Sequence, residues 1–151
     1  LKEYEKAVED YSRAISLNPN NATYYNKRGI SYYDLKKYKK AIEDYSRAIS
    51  LNPNEATYYN NRGNSYYNLK EYEKAIEDYS RAISLNPNDD TYYKRRGDSY
   101  HNLKEYEKSI ENYTKVISLN PNKAKELILN GKIKVYSVNE LFSNMKKEIE
   151  S

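Results

Sequence analysis

Four prolines, Pro19, Pro53, Pro87 and Pro121, stand at equal intervals, each inside the tetrapeptide Leu-Asn-Pro-Asn. A fixed period in the range of roughly 20–50 residues means one supersecondary unit copied along the chain, each copy burying its apolar face on its neighbours. Such a chain has no single central core. It offers an extended surface instead, and a surface of that kind binds other molecules more readily than it transforms them.

One unit, read from Ala22 to Glu55, holds two helices. Tyr38, Ala41, Ile42, Tyr45, Ala48 and Ile49 recur at offsets of three and four, the stripe of an amphipathic helix. The half before it, roughly Thr23 to Leu35, carries the sparser stripe Tyr25, Gly29 and Tyr32. A glycine inside a helix costs about 1 kcal/mol relative to alanine, so its presence at Gly29, Gly63 and Gly97 predicts a close approach of two helix backbones. Lys36, Lys37 and their equivalents fill the turn. Pro53 then ends the second helix, because its ring fixes φ and it donates no hydrogen bond.

The pattern Tyr25, Arg28-Gly29, Tyr32, Ala41, Tyr45 and Pro53 resembles the tetratricopeptide repeat, a helix-turn-helix of the same length. Tyr59, Gly63, Tyr66, Ala75, Tyr79 and Pro87 repeat it, as do Tyr93, Gly97, Tyr100, Ser109, Tyr113 and Pro121, so the resemblance covers residues 1 to 123. It implies an all-α fold, a right-handed α-solenoid of stacked helix-turn-helix repeats. The units are a half-repeat at 1–21, full repeats at 22–55, 56–89 and 90–123, and a C-terminal helical cap at 124–151.

Where the family usually has Leu, this chain has Arg28, Arg62 and Arg96. A buried guanidinium needs a partner. Asp10, Asp44 and Asp78 precede those arginines at one constant interval, and the next such pair is Asn112 and Asn130, so acid and base vanish together. That comparison predicts a charge pair bridging each repeat to the next. The disfavoured alternative is the following acid, Asp44 for Arg28 and Asp78 for Arg62, since the same step would bring Arg96 to Asn112. Glu9 with Arg13, Glu43 with Arg47, Glu77 with Arg81 and Glu111 with Lys115 are acid-before-base pairs four apart, expected to support the outer helices.

Both ends depart from the pattern. Residues 1 to 17 match only a second helix, whose stripe of Tyr4, Ala7, Val8 and Tyr11 has no first helix to cover it; self-association through this end is expected. After Pro121, Ala124, Leu127, Ile128, Gly131 and Val135 keep helical spacing. Ser137 with Glu140 then reads as a capping box opening a helix through Leu141, Phe142, Met145 and Ile149. The alternative is a strand through Ile133 to Val138.

Little in the chain suggests catalysis. There is one histidine, His101, no cysteine, and no phosphate loop or metal-ligand cluster, so no enzyme activity, cofactor or metal is expected. The net charge of +4 is spread among interspersed acids and bases, which argues against nucleic acid as the partner. No membrane-spanning run or signal peptide is apparent, and a cytoplasmic setting is the expectation.

The resemblance places the first helix of each unit on a concave face that receives a peptide or helix of a partner protein. The candidate groove residues are Asn26, Lys27 and Tyr33, then Asn60, Asn61, Asn64 and Tyr67, then Lys94, Arg95 and His101, the last as a groove-lining aromatic. Side-chain amides suit this role because each donates and accepts. Of the two-carboxylate clamp known in the family, only Asn61 and Arg95 match. The inward residues of the third unit sum to +1 from Lys94, Arg95 and Asp98, with Lys125 and Lys132 following. These charges favour an acidic or carboxylate-ended peptide lying with its neutral part over Asn60, Asn61 and Asn64. The alternative is a structural spacer or self-assembly element whose groove is idle.

Overall fold

The computed structural model describes residues 1–133 together with 142 and 143. The described elements are helical in every case: α1 (Lys2–Leu17), α2 (Ala22–Asp34), α3 (Tyr38–Leu51), α4 (Ala56–Asn68), α5 (Tyr72–Leu85), α6 (Asp90–Asn102), α7 (Tyr106–Leu119), a 3-10 turn (Pro121–Lys123) and α8 (Ala124–Leu129). The chain forms two compact units, Leu1–Asn86 and Pro87–Ser151. In the first, α1 packs on α2, α2 on α3, α3 on α4 and α4 on α5; in the second, α6 packs on α7 and the 3-10 turn on both α7 and α8.

Local chemistry sets each helix boundary. The residue before a proline is driven out of the helical region, so Asn18, Asn52 and Asn86 stand at φ near −140° and end α1, α3 and α5. Asn21 and Asp89 cap α2 and α6 by accepting from the backbone N–H two residues on, at 3.0 and 2.9 Å. At the far ends of α2, α4 and α6 the chain turns through Lys36, Lys70 and Lys104, all at positive φ of 57° to 61°. Lys36 N–H donates to the Tyr33 carbonyl and Lys37 N–H to the Tyr32 carbonyl, both at 2.8 Å, the paired bonds of a Schellman turn.

Each glycine of the first helix receives an aromatic ring rather than a neighbouring backbone. A Cβ added to Gly29, Gly63 or Gly97 would meet Cε1 of Tyr45, Tyr79 or Tyr113 at 2.7 to 2.9 Å. Those three tyrosines are at most 1 % exposed. The expected close approach is real, but its partner is a side chain of the second helix. At the position of the fully buried Ala41 and Ala75, the third repeat has Ser109, whose buried hydroxyl donates to the Gly97 carbonyl at 2.9 Å.

The arginine pairing differs from the sequence expectation. Arg28 donates through Nε and Nη2 to both carboxylate oxygens of Asp44 at 2.8 and 2.7 Å, and Arg62 does the same to Asp78. The partner is therefore the following acid, within the same repeat. Arg96 is not stranded at the third position, because Asn112 Oδ1 accepts from its Nε at 2.8 Å; an amide oxygen replaces the carboxylate. The link to the preceding repeat comes from the third arm of the guanidinium: Arg28 Nη1 reaches Ser12 Oγ and Arg62 Nη1 reaches Ser46 Oγ, each at 3.0 Å. The bond from Asp44 raises the Arg28 pKa above its ordinary value despite burial, and Asp78 does the same for Arg62. Burial pushes the Asp78 carboxyl up, partly offset by Arg62.

None of the expected pairs four apart closes to an ion pair among the described residues. Arg47 and Arg81 lie over the rings of Tyr25 and Tyr59 at 5.9 and 5.8 Å, a favourable cation–π placement. The ion pairs on the outer helices are Glu71 with Lys74 and Glu105 with Lys108.

At the N-terminus Tyr4 is 42 % exposed and α1 has no buried residue. Gly131 does not continue the last helix as its spacing suggested. It stands at φ 65° and closes α8 in a Schellman turn, with Gly131 N–H to the Ile128 carbonyl and Lys132 N–H to the Leu127 carbonyl. The expected capping box at Ser137 and Glu140 lies outside the described residues, as do Val135, Leu141, Met145 and Ile149. So does the strand alternative beyond Ile133.

Candidate functional site

The inner face of the first unit is built by α2 and α4, whose side chains bond across from one repeat to the next. Asn61 Nδ2 donates to Asn26 Oδ1 at 3.0 Å, and Asn68 Nδ2 donates to Tyr33 Oη at 2.9 Å. Both pairs span the same sequence separation, which sets the two helices side by side. Asn26 is only 7 % exposed and is committed to this internal bond, so it supports the face rather than presenting itself to a ligand. Lys27 is exposed, while Asn61, Asn64 and Tyr67 are half-buried. Asn60 is also half-buried, with its Oδ1 closed off from solvent and no partner for that atom among the described residues. Tyr33 and Tyr67 rest edge-on against Tyr38 and Tyr72 at 5.4 Å.

A hollow of about 200 Å³ opens on this face, lined by Ile30, Tyr33, Tyr45, Asn61 and Asn64. Ile30, Asn64 and Asp98 occupy equivalent positions in successive repeats, each at the same remove from its buried tyrosine. Asn64 Oδ1 accepts from Tyr79 Oη at 2.8 Å, and Asp98 Oδ1 accepts from Tyr113 Oη at 2.7 Å. Ile30 has no acceptor to give, so Tyr45 Oη has no hydrogen-bond partner among the described residues. Burial first, and the charge of Asp34 next, push the Tyr45 phenol well above its ordinary pKa; it is a neutral donor. The sequence places Tyr33, Asn61 and Asn64 on this face, but read one repeat at a time it does not show the unanswered hydroxyl of Tyr45. Laying the three repeats over one another reveals it.

In the second unit the groove candidates are Lys94, Arg95 and His101 on α6. Lys94 is held by Asp98 at 3.5 Å and by Glu126 at 3.8 Å, and Lys132 by Asp98 at 3.6 Å. Lys123 pairs with Asp90 at 2.6 Å. Much of the positive charge expected here is thus answered by acids, among them Asp90 and Glu126, which the charge sum over inward residues omitted. Arg95 is exposed and enters no ion pair among the described residues. His101 rests edge-on against Tyr106 at 5.4 Å, as the tyrosines do in the earlier repeats.

A different concentration of charge lies at the first turn. Lys36, Lys37, Lys39 and Lys40 are all exposed and line a hollow of about 350 Å³ with Tyr38 and Leu69. The equivalent turns carry Glu71 and Glu73, or Glu105 and Glu107, in place of the middle two lysines. Among the described residues no group of three His, Cys, Asp or Glu side chains could hold a metal ion, and no helix is long and apolar enough to cross a membrane.

Two family models match this sequence. One, described as Tetratricopeptide repeat, matches residues 56–89 and 91–123; another, described as TPR repeat, matches residues 1–36 and 29–70. Human serine/threonine-protein phosphatase 5 is 55 % identical over 31 residues, 20 % of this chain and 6 % of the phosphatase, so the match touches a small part of that protein's length. Among solved structures, a crystal structure of MamA superposes with a TM-score of 0.81 at 26 % identity, covering 99 % of this chain and 82 % of that one. The first TPR of Spaghetti (RPAP3), solved bound to the HSP90 peptide SRMEEVD, gives a TM-score of 0.67 at 24 % identity, covering 83 % of this chain and 93 % of that one. With the period, the glycine seats and the helix order described above, these matches identify the chain as a member of the tetratricopeptide repeat family, whose repeats commonly serve as protein–protein interaction modules.

Proposed function

We propose that the chain is a non-catalytic interaction scaffold that binds an extended segment of a partner protein along the face formed by its first helices. The observation that carries this reading is the bonded inner face of α2 and α4. Asn26, Asn61, Tyr33, Asn68, Asn64 and Tyr79 hold one another at 2.8 to 3.0 Å. A face fixed in advance loses little entropy on binding. Half-buried amides and phenols on that face can meet a peptide backbone without dictating its sequence.

The partner segment is acidic or carboxylate-ended. Lys27 and Arg95 are the exposed cations among the candidate residues, and the Spaghetti repeat, of like fold, is bound to a peptide ending in Glu-Glu-Val-Asp. Small polar interfaces of this kind give weak, salt-sensitive complexes, so affinity in the roughly micromolar range is expected. Fluorescence polarisation with labelled SRMEEVD and with a basic peptide of equal length, each at two salt concentrations, tests the reading. Preference for the acidic peptide, weakened by salt and by Arg95→Ala, supports it. Equal binding, or preference for the basic peptide, rejects the acidic partner; binding of neither leaves the spacer reading in its place.

A further inference from the structure

We infer that the hollow between α2 and α4 receives the side-chain carboxamide of a glutamine from the bound segment, seated on Ile30 and hydrogen-bonded by Tyr45. This deepens the groove reading above and rests on it.

The sequence carries a single design in three repeats and omits one atom in one of them. In the second and third repeats the buried tyrosine hydroxyl donates to an oxygen at the equivalent inward position, Asn64 Oδ1 or Asp98 Oδ1, at 2.8 and 2.7 Å. In the first repeat that position is Ile30, and the space an acceptor would occupy is part of the open hollow of about 200 Å³. Tyr45 is 1 % exposed. Its hydroxyl lines the hollow and has no acceptor from the protein among the described residues, so a ligand oxygen placed there would take over from solvent as its hydrogen-bond partner.

The other groups around the hollow select the type of oxygen. Asn64 gives its Oδ1 to Tyr79, which leaves its Nδ2 hydrogens unused among the described residues. Tyr33 Oη accepts from Asn68 and keeps its own hydrogen to donate. Asn61 gives its Nδ2 to Asn26 and keeps Oδ1 as an acceptor. A carboxamide answers both kinds of group, since its oxygen accepts from two of the three donors and its NH₂ donates to Asn61 Oδ1. A carboxylate fits less well. Its charge would enter a site with no cation in its lining, near Asp34, and it would leave Asn61 Oδ1 without a donor. Ile30 supplies apolar contact for the methylenes, and glutamine has the longer stem with which to reach Tyr45 from a backbone lying on the face.

The test uses the intact chain and three capped amino acids as probes: N-acetyl-glutamine, N-acetyl-glutamate and N-acetyl-leucine methylamides. Binding is followed by NMR at the Ile30 methyl groups and the Asn61 and Asn64 side-chain amides. The glutamine probe is expected to shift these signals saturably, with the other two weaker by roughly tenfold. Ile30→Asn supplies internally the acceptor that Asn64 supplies to Tyr79, and is expected to abolish the response while the fold persists. Tyr45→Phe, which keeps the ring on Gly29, should weaken it by roughly tenfold. Equal response to glutamate or leucine, or an unchanged response in Ile30→Asn, overturns the assignment. Saturable binding of SRMEEVD with no shift from the glutamine probe rejects the hollow alone. Failure of peptide and probe together rejects the groove reading with it.

Discussion

Replacing Arg62 with methionine tests the connection between repeats most directly. Arg62 makes two charge-assisted bonds to Asp78, at 2.8 and 2.7 Å, and one bond to Ser46 at 3.0 Å. The side chains are 21 % and 7 % exposed. Two bonds to a charged group are worth about 3–6 kcal/mol together before desolvation, and removing one partner of a fully buried pair costs about 3–5 kcal/mol. Since the guanidinium is partly wet, Arg62→Met should destabilise the chain by about 2–3 kcal/mol. Asp78→Asn should cost only about 1 kcal/mol, because Asn112 already shows that an amide oxygen accepts from the equivalent Arg96. Pairing Arg62→Met with Asp78→Leu removes both charges and should return the chain to within about 1 kcal/mol of the parent. Urea denaturation followed by far-ultraviolet circular dichroism, on the parent, both single variants and the double, yields a coupling energy expected at about 2 kcal/mol or more. The matching cycle with Asp44→Leu should give less than about 0.5 kcal/mol, since Asp44 is bonded to Arg28. Equal coupling to Asp44 would refute the reasoning, as would a cost for Arg62→Met below experimental scatter.

Gly63→Ala places a Cβ 2.9 Å from a ring that is fully buried; overpacking should outweigh the gain in helix propensity by about 1–2 kcal/mol, and an unchanged or raised thermal midpoint would contradict it. Lys70→Gly relieves a side chain at φ 61° and should raise the urea midpoint by the equivalent of about 0.5–1 kcal/mol, the reverse of the Gly63 result. The folded-state pKa of Tyr45 is raised above the ordinary value of 10.0, so the folded state keeps a proton that the unfolded state loses. Its stability contribution is intact below pH 10 and declines above it. Tyr45→Phe should flatten that part of a stability-versus-pH curve, and an identical alkaline slope in the variant would count against it.

Much of this fold can be read along one strand of text, because helix stripes, proline stops and cap residues act within a few positions of themselves. Pro53 sets Asn52 and ends α3 whatever lies beyond. The errors came where the text had to be folded to be read. Asp44 lies almost midway between Arg28 and Arg62, and composition alone treats the two intervals alike; only the packing of α3 on α2 selects Arg28. The expectation that Arg96 could not use Asn112 weighed charge too heavily against the second property of the site, an oxygen in reach. Gly131 continued the spacing of Gly29, Gly63 and Gly97, yet no tyrosine stands beyond it at the interval that separates Gly29 from Tyr45, and its freedom at positive φ serves a turn instead. Asn26, chosen as a ligand contact for its amide, is occupied by Asn61. Ile30 looked unremarkable as a single apolar residue on a helix, and gains meaning only from what Asn64 and Asp98 do for their tyrosines.

The three arms of each arginine have a consequence for how such an array can lengthen. A single copy of the repeat carries the arginine, the aspartate that grips it from within, and a serine that receives the arginine of whatever copy follows. Arg62 finds Asp78 ahead of it and Ser46 behind it, as Arg28 finds Asp44 and Ser12. Tyr25 Oη likewise reaches the carbonyl of Pro19, and Tyr59 Oη that of Pro53, each at 3.0 Å. These junction contacts are thus made between two places in the same template. A tandem duplication of the coding segment would reproduce lock and key together, and the new unit would fit at birth, with no compensating change in its neighbours. Later divergence could then act on inward positions such as Ile30, Asn64 and Asp98, whose identities the junction does not fix.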